Sequence, residues 1–305
     1  SYRMPAEKYH ADPAPAPSLS STIARILLAQ SPQHAWHASP RLNKAHRPVV
    51  KTEYEIGRAA HTLLTRQGAG IHIMSFDDYR KKDARDERDA ALADGKTLLL
   101  EKQYDEVAAM VAACRRQLIG HGIGDVFETG ECERAHFSVL GGCWARCMTD
   151  CEHGDIVYDY KTTGGSASPE AAIKTIADFG YDAQAAHYLD VLESLETDRP
   201  RTFRFIIQEK TAPYALSVVQ IDDGWLAVAR RKTRRARQIW TMCLDEYGAK
   251  PWPGYPAQIV RVQSPPWHEQ KWLDREAMEQ DFRDETGADV LSAALKFQAP
   301  MEANQ

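Results

Sequence analysis

The stretch from residue 131 to residue 160 constrains this chain more than any other. Three short runs, 131–140, 143–150 and 155–160, are β-compatible, and Gly141-Gly142 and His153-Gly154 separate them. Runs this short, joined by turn-forming pairs, leave room for little but an antiparallel meander. The character of the chain then changes. Ser168-Pro169-Glu170 is a helix start, with Ser as the cap and Pro at the first helical position. Helices are predicted at about 169–179 and 182–196, a strand pair at 201–209 and 214–221, and one long helix over 223–247.

Upstream of the meander the pattern is helical. Residues 1–17 are rich in Pro and Ala, lack a hydrophobic period, and read as a flexible arm. Ser18 or Ser20 can cap a helix reaching Ala29, ended by Ser31-Pro32. Further helices are expected at about 52–66, 77–93 (strongly charged, hence solvated) and 103–119. Absence of an internal repeat or long linker favours a single domain over 18–272, with an acidic helical or disordered tail at 273–305.

Composition excludes some classes. No apolar run approaches the roughly 18 residues of a membrane-spanning helix, and no secretory leader is visible, so a cytoplasmic location is expected. Cys143, Cys147 and Cys151 stand four apart, which on a strand would put all three on one face. Without a CxxC pair, buried free thiols are expected rather than a zinc or iron–sulfur site. The net charge of −5 does not mark a nucleic-acid binder. Local charge is another matter: Arg230, Arg231, Lys232, Arg234, Arg235 and Arg237 crowd one predicted helix, as a solvated face or as a DNA or subunit contact.

The residues with chemical potential lie at the end of the meander. Asp159 and Lys161 stand two apart on a predicted strand and share a face, and a turn can return Asp150 to their neighbourhood. Adjacent carboxylates repel unless a cation sits between them, and oxygen ligands of this kind suit Mg²⁺ or Mn²⁺. A neighbouring lysine can hold or deprotonate an attacking water and offset charge on a phosphorane-like transition state. Such a triplet also arises by chance as a surface salt bridge, so the surrounding residues decide.

Those residues resemble the PD-(D/E)XK nuclease superfamily, in particular its exonuclease VIII-like (RecE-type) branch. Gly57-Arg58-Ala59-Ala60-His61 fits its upstream Gly-xxx-His element, and Glu133 its Glu on the first core strand. Gln184-Ala185-Ala186-His187-Tyr188 fits its Gln-xxx-Tyr element. The loop from Asp159 to Glu170 and Gln208-Glu209-Lys210-Thr211-Ala212-Pro213-Tyr214 look like the same branch, and so does Trp252-Pro253-Gly254-Tyr255. One departure is Met148-Thr149-Asp150 where that group usually reads Arg-Pro-Asp.

The resemblance implies a restriction-endonuclease-like α/β core, a mixed sheet flanked by helices, with N-terminal helical elaboration. It implies His61, Asp150, Asp159, Glu133 and the main-chain carbonyl of Tyr160 as metal ligands, with Lys161 as the catalytic lysine beside Asp150, Asp159 and Glu133. Gln184 and Tyr188 would brace the site or touch DNA. Glu131 is a rival for Glu133. The implied activity is Mg²⁺-dependent exonucleolytic hydrolysis of linear double-stranded DNA, 5′→3′, leaving 3′ overhangs for a single-strand-annealing partner, by a ring-shaped homo-oligomer. Two alternatives stand beside it: an iron–sulfur nuclease of the CRISPR-adaptation type, and a non-catalytic DNA-binding protein on a decayed nuclease fold.

Overall fold

The computed structural model describes residues 1–46, 55–197 and 199–297. The chain divides after Gly254 into a larger unit, Ser1–Gly254, and a smaller one, Tyr255–Gln305.

Residues 1–17 are not an arm. They form β1 (Tyr2–Arg3) and α1 (Ala6–His10), and Tyr9 and Asp12 are buried. The anchor is polar, which is why no hydrophobic period announces it. The Asp12 carboxylate accepts from the Ser18 N–H (2.8 Å) and the Ser18 hydroxyl (2.6 Å), and lies 3.3 Å from Arg146 Nη1. Arg146 also donates to the Ser18 carbonyl and sits 5.5 Å from the centre of the Tyr9 ring. A buried ion pair is costly to break from one side, because the other charge is left stranded.

Next come β2 (Leu19–Ser20) and α2 (Ser21–Ala29), whose first turn is capped by Ser20 Oγ accepting from the Ile23 N–H. Pro32 opens α3 (Pro32–Ala38) rather than merely ending α2. The expected helix at 52–66 is α4 (Glu55–Thr65), and its first three expected residues lie outside the described ones. A two-stranded parallel sheet, β3 (Ile71–Met74) with β4 (Thr97–Leu100), flanks α5 (Lys82–Ala93). Four-residue strands give too short a pattern to read in sequence. They also correct the expectation for α5, since Ala84 and Ala91 pack against Met74 and Leu98 on a covered face. Then follow α6 (Glu101–Gly120) and the single turn α7 (Val126–Thr129).

The main sheet is built on β5 (Glu131–Leu140), β6 (Cys143–His153) and β7 (Ile156–Thr163), the expected antiparallel meander. After it come α8 (Pro169–Phe179), α9 (Tyr181–Leu195), β8 (Thr202–Glu209), β9 (Leu216–Val219) and α10 (Asp223–Tyr247). The strand order is β1-β5-β6-β7-β8-β9, with β2 parallel to β6. β8 runs parallel to β7, which requires a long crossover, and α8 and α9 supply it. Ser168 Oγ accepts from the Ala171 N–H to start α8, and Gly180, at a φ of 63°, lets the chain turn sharply into α9.

Helices cover both faces. On one, Leu64 of α4 and Met110 of α6 pack on Tyr158, Tyr160 and Ile206. On the other, Ile176 of α8 and Leu189 of α9 pack on Val157, Phe203 and Phe205. A third cluster joins α2 and α3 to α10 and Trp252, where Trp240 and Trp252 meet edge to face at 4.9 Å. The smaller unit contains α11 (Pro266–Thr286) and α12 (Val290–Lys296). No helix among the described residues is long and apolar enough to cross a membrane.

Candidate metal centre

The sheet opens where the acidic residues lie. β6 and β7 pair through Cys151↔Tyr158 and no further, so positions 150 and 159 are no longer hydrogen-bonded across the strands. Asp150 fills the gap with its side chain: Oδ2 accepts from the Tyr160 main-chain N–H at 2.8 Å. β5 is disturbed at the same level. Cys132 pairs with Cys151 and Arg134 with Thr149, but the intervening Glu133 has a φ of 54°. For a residue with a Cβ that conformation is costly, of order 1–3 kcal/mol, and it persists only when the surroundings enforce it.

This irregularity reverses the faces of the strands. Cys147 packs with Ala145 and Val157, while Cys151 packs on the other side of the sheet with Cys132 and Tyr158. The expectation that Cys143, Cys147 and Cys151 share one face is therefore corrected. All six cysteines are buried and form no disulfide.

The same reversal sends the two glutamates to different surroundings. Glu131 is exposed and lies 3.4 Å from Arg134, whereas Glu133 turns inward to His61. His61 Nε2 lies 3.4 Å from Glu133 Oε1 and 3.3 Å from Asp150 Oδ1. Helix α4 brings the imidazole there, because Ala59, Ala60 and Leu64 are buried and His61 occupies the neighbouring face. Gly57 permits the approach: a Cβ at that position would stand 3.0 Å from Thr162 Oγ1 of β7. His61, Glu133 and Asp150 thus offer one nitrogen and two carboxylates whose ligand atoms all lie within 4.8 Å of one another.

Asp159 faces a different set of partners. Its carboxylate is fully buried, with Lys161 Nζ 2.5 Å from Oδ2 and Gln184 Nε2 donating to Oδ1 at 2.7 Å. Gln184 therefore braces Asp159. Tyr188, one turn further along α9, is buried edge-on to Phe203 and borders the cleft. Tyr160 presents its main-chain N–H to Asp150. Its hydroxyl is anchored on the opposite face by Gln208 Oε1 at 2.6 Å.

Electrostatics identify what the cluster lacks. Burial disfavours a charged His61, but Asp150 and Glu133 outweigh it and raise its pKa to about 9. Burial pushes Glu133 up to about 7, and His61 only partly opposes it. Burial likewise lifts Asp159 to about 6 against the pull of Lys161. Asp150 is partly buried, which would raise its pKa, but His61, Lys161 and the Tyr160 N–H hold it below its ordinary value. Lys161 is held protonated, since Asp159 and Asp150 overcome the effect of burial. A proton on His61 thus stands where a cation would neutralise the carboxylates. The donor set, one imidazole and two carboxylates, fits a divalent ion.

All of this opens into a cleft of about 1290 Å³. Its walls include Arg3 and Tyr9 of the N-terminal segment, Arg58 of α4, Lys161 of β7, and Phe179 and Tyr181 at the α8–α9 corner. Sequence reasoning gave the N-terminal segment no part in the cleft. Nor did it give Tyr181 a role, although its ring lies 5.1 Å from Lys161 Nζ. Only the position of Tyr181, three residues before Gln184, could have drawn attention to it.

No curated protein matches this chain. Among solved structures, the crystal structure of a "Putative exonuclease" from Eubacterium rectale is similar over 87% of this chain and 96% of that one. Its TM-score is 0.58 at 12% identity, a likeness of fold. Residues 27–256 match the family described as "PDDEXK-like domain of unknown function (DUF3799)". Because that match spans most of the chain, and the fold agrees, this protein belongs to the PDDEXK-like DUF3799 family, within the PD-(D/E)XK nuclease superfamily.

Proposed function

We propose that this protein is a Mg²⁺-dependent exodeoxyribonuclease of the exonuclease VIII-like type, acting on the ends of linear double-stranded DNA. One observation carries the reading: His61, Glu133 and Asp150 converge beside the Lys161–Asp159 pair where the sheet opens into a cleft. His61, Glu133 and Asp150 would hold the ion, with Asp159 and the Tyr160 carbonyl as further candidate ligands. A bound divalent cation would polarise the scissile phosphate and acidify a water. Lys161, held as an ammonium, orients that water by hydrogen bonding and offsets charge developing on the phosphate oxygens. Gln184 keeps Asp159 pointed at Lys161, so the ammonium stays in place between turnovers. The likeness in fold to the "Putative exonuclease" from Eubacterium rectale accords with this reading. Digestion 5′→3′, a single-strand-annealing partner and a ring-shaped oligomer belong to the same proposal, on the resemblance to exonuclease VIII.

The test is digestion of end-labelled linear duplex with Mg²⁺, with EDTA, and by Lys161→Ala. Wild type should release nucleotides from 5′ ends only with the metal, and Lys161→Ala should be slower by at least about 10²-fold. Equal degradation by wild type and Lys161→Ala would refute the assignment.

A further inference from the structure

Three aromatic rings stand in a row beside Lys161. Phe205 is fully buried, Tyr181 stacks on it at 6.0 Å with an interplanar angle of 27°, and Phe179 stacks on Tyr181 at 5.7 Å and 22°. The stack begins in the core and ends in the cleft, where Phe179 is 61% exposed. It is also held firmly. Arg25 Nη1 donates to the Phe179 carbonyl, and the Arg25 guanidinium carbon lies 5.8 Å from the Tyr181 ring centre. Gly180, in the left-handed region between the two outer rings, sets the corner that brings them together.

A large exposed ring at the end of a helix is by itself unremarked in proteins. This one differs because its inner face is already part of a stack and its outer face meets the same cleft as Lys161. The flat surface suits one more ring.

We propose that a nucleobase of the bound strand stacks on Phe179 as the fourth ring of this series. The inference rests on the nuclease reading above and adds a substrate contact to it. A base inside a duplex has both faces covered, so the base concerned is terminal or unpaired. Phe179 would therefore hold the end of the strand by a sequence-tolerant contact, since every base has a π-face. The neighbouring Lys161 would meet the phosphate side of the same strand.

The experiment uses a linear duplex carrying 2-aminopurine at its terminal nucleotide, with Ca²⁺ in place of Mg²⁺. Wild type, Phe179→Ala and Phe179→Trp are compared for fluorescence quenching and Kd, and separately for hydrolysis at saturating unlabelled DNA with Mg²⁺. Wild type and Phe179→Trp should quench the probe and bind alike. Phe179→Ala should lose the quenching and bind about tenfold more weakly, with a smaller loss of rate at saturating DNA than of affinity and an unchanged thermal midpoint. Tight binding by Phe179→Ala with a reduced saturated rate would make Phe179 a brace for Tyr181 and overturn the stacking role. If wild type hydrolyses DNA but never quenches the probe, only the platform fails. If wild type neither binds nor hydrolyses DNA, the nuclease reading falls and the platform with it.

Discussion

Two regions of this protein are dense in charge, and they handle it in opposite ways. Helix α10 carries Arg230, Arg231, Lys232, Arg234, Arg235 and Arg237, the most conspicuous charge run in the sequence. Much of it is spent internally on α9. Arg230 and Arg237 both donate to Asp190 at 2.8 Å, Arg230 also reaches Glu193, and Lys232 lies 2.6 Å from Asp182. Arg231, Arg234 and Arg235 are exposed. At the opening of the sheet, charge is sparse but unresolved. Two carboxylates share one imidazole, a third is buried against one ammonium, and two of the three have pKa values raised by burial. The first arrangement closes on itself and holds two helices together. The second is balanced only by a proton on His61 and the Lys161 ammonium, and it faces a cleft. Density of charge in a sequence therefore says little about function; incomplete compensation in a concave place says much more.

The largest expected effect breaks the second arrangement. Asp150→Asn keeps the shape but removes the carboxylate that His61 and the Tyr160 N–H share. Turnover should fall by at least about 10³-fold, and the rise in thermal midpoint on adding Mn²⁺ should vanish. Retention of that rise would place the ion elsewhere.

The converse experiment is on α9 and α10. Asp190→Ala strands Arg237 and half of the Arg230 pairing, and should cost about 2–3 kcal/mol of stability, measured by urea denaturation. Activity per folded molecule should be unchanged. Arg234→Ala, on the exposed side, should change stability by less than about 0.5 kcal/mol. Comparable losses from the two variants would mean that the basic run does not discriminate between structural and exposed positions.

The smallest effect is a dependence on pH. In the metal-free protein the pKa of Glu133 rises from 4.5 to about 7 and that of His61 from 6.5 to about 9. The folded state therefore keeps protons that the unfolded chain has released. The contribution of Glu133 is full below pH 4.5 and lost as pH rises through about 7; that of His61 is full below pH 6.5 and lost through about 9. The thermal midpoint of the metal-free protein should fall across this window. The increment from added Mg²⁺ should grow over the same range, because cation and protons compete for the same atoms. A midpoint that rises with pH would reverse the sign and sink the account; in Glu133→Gln the fall below pH 7 should flatten.

Most of the element order was legible in the chain. Turn pairs and short β-compatible runs announced β5, β6 and β7, and Ser168-Pro169 announced α8, because those signals are local. His61, Glu133, Asp150, Asp159, Lys161 and Gln184 were singled out by their order along the chain, and the fold brings them to one end of the sheet. What escaped were features held by distant partners. Residues 1–17 were read as an arm because Asp12 and Ser18 have no hydrophobic pattern; their partner Arg146 lies far along the chain on β6. The choice of Glu133 over Glu131 needed the left-handed residue in β5, which alternation along a strand cannot foresee. The separation of Cys147 from Cys151 across the sheet follows from the same defect.

The sequence by itself determined the order of the strands and helices from β5 to α10 and the chemical types that could meet at the site. Periodicity, turn residues and caps are properties of neighbouring residues, and they survive in a linear reading. Tertiary structure alone decided that β6 and β7 part at Asp150, that Gly57 lets His61 come close, and that Phe179 and Tyr181 continue a stack from the core. Those outcomes depend on which strands stop pairing and which helices approach, and no local pattern in a chain records that.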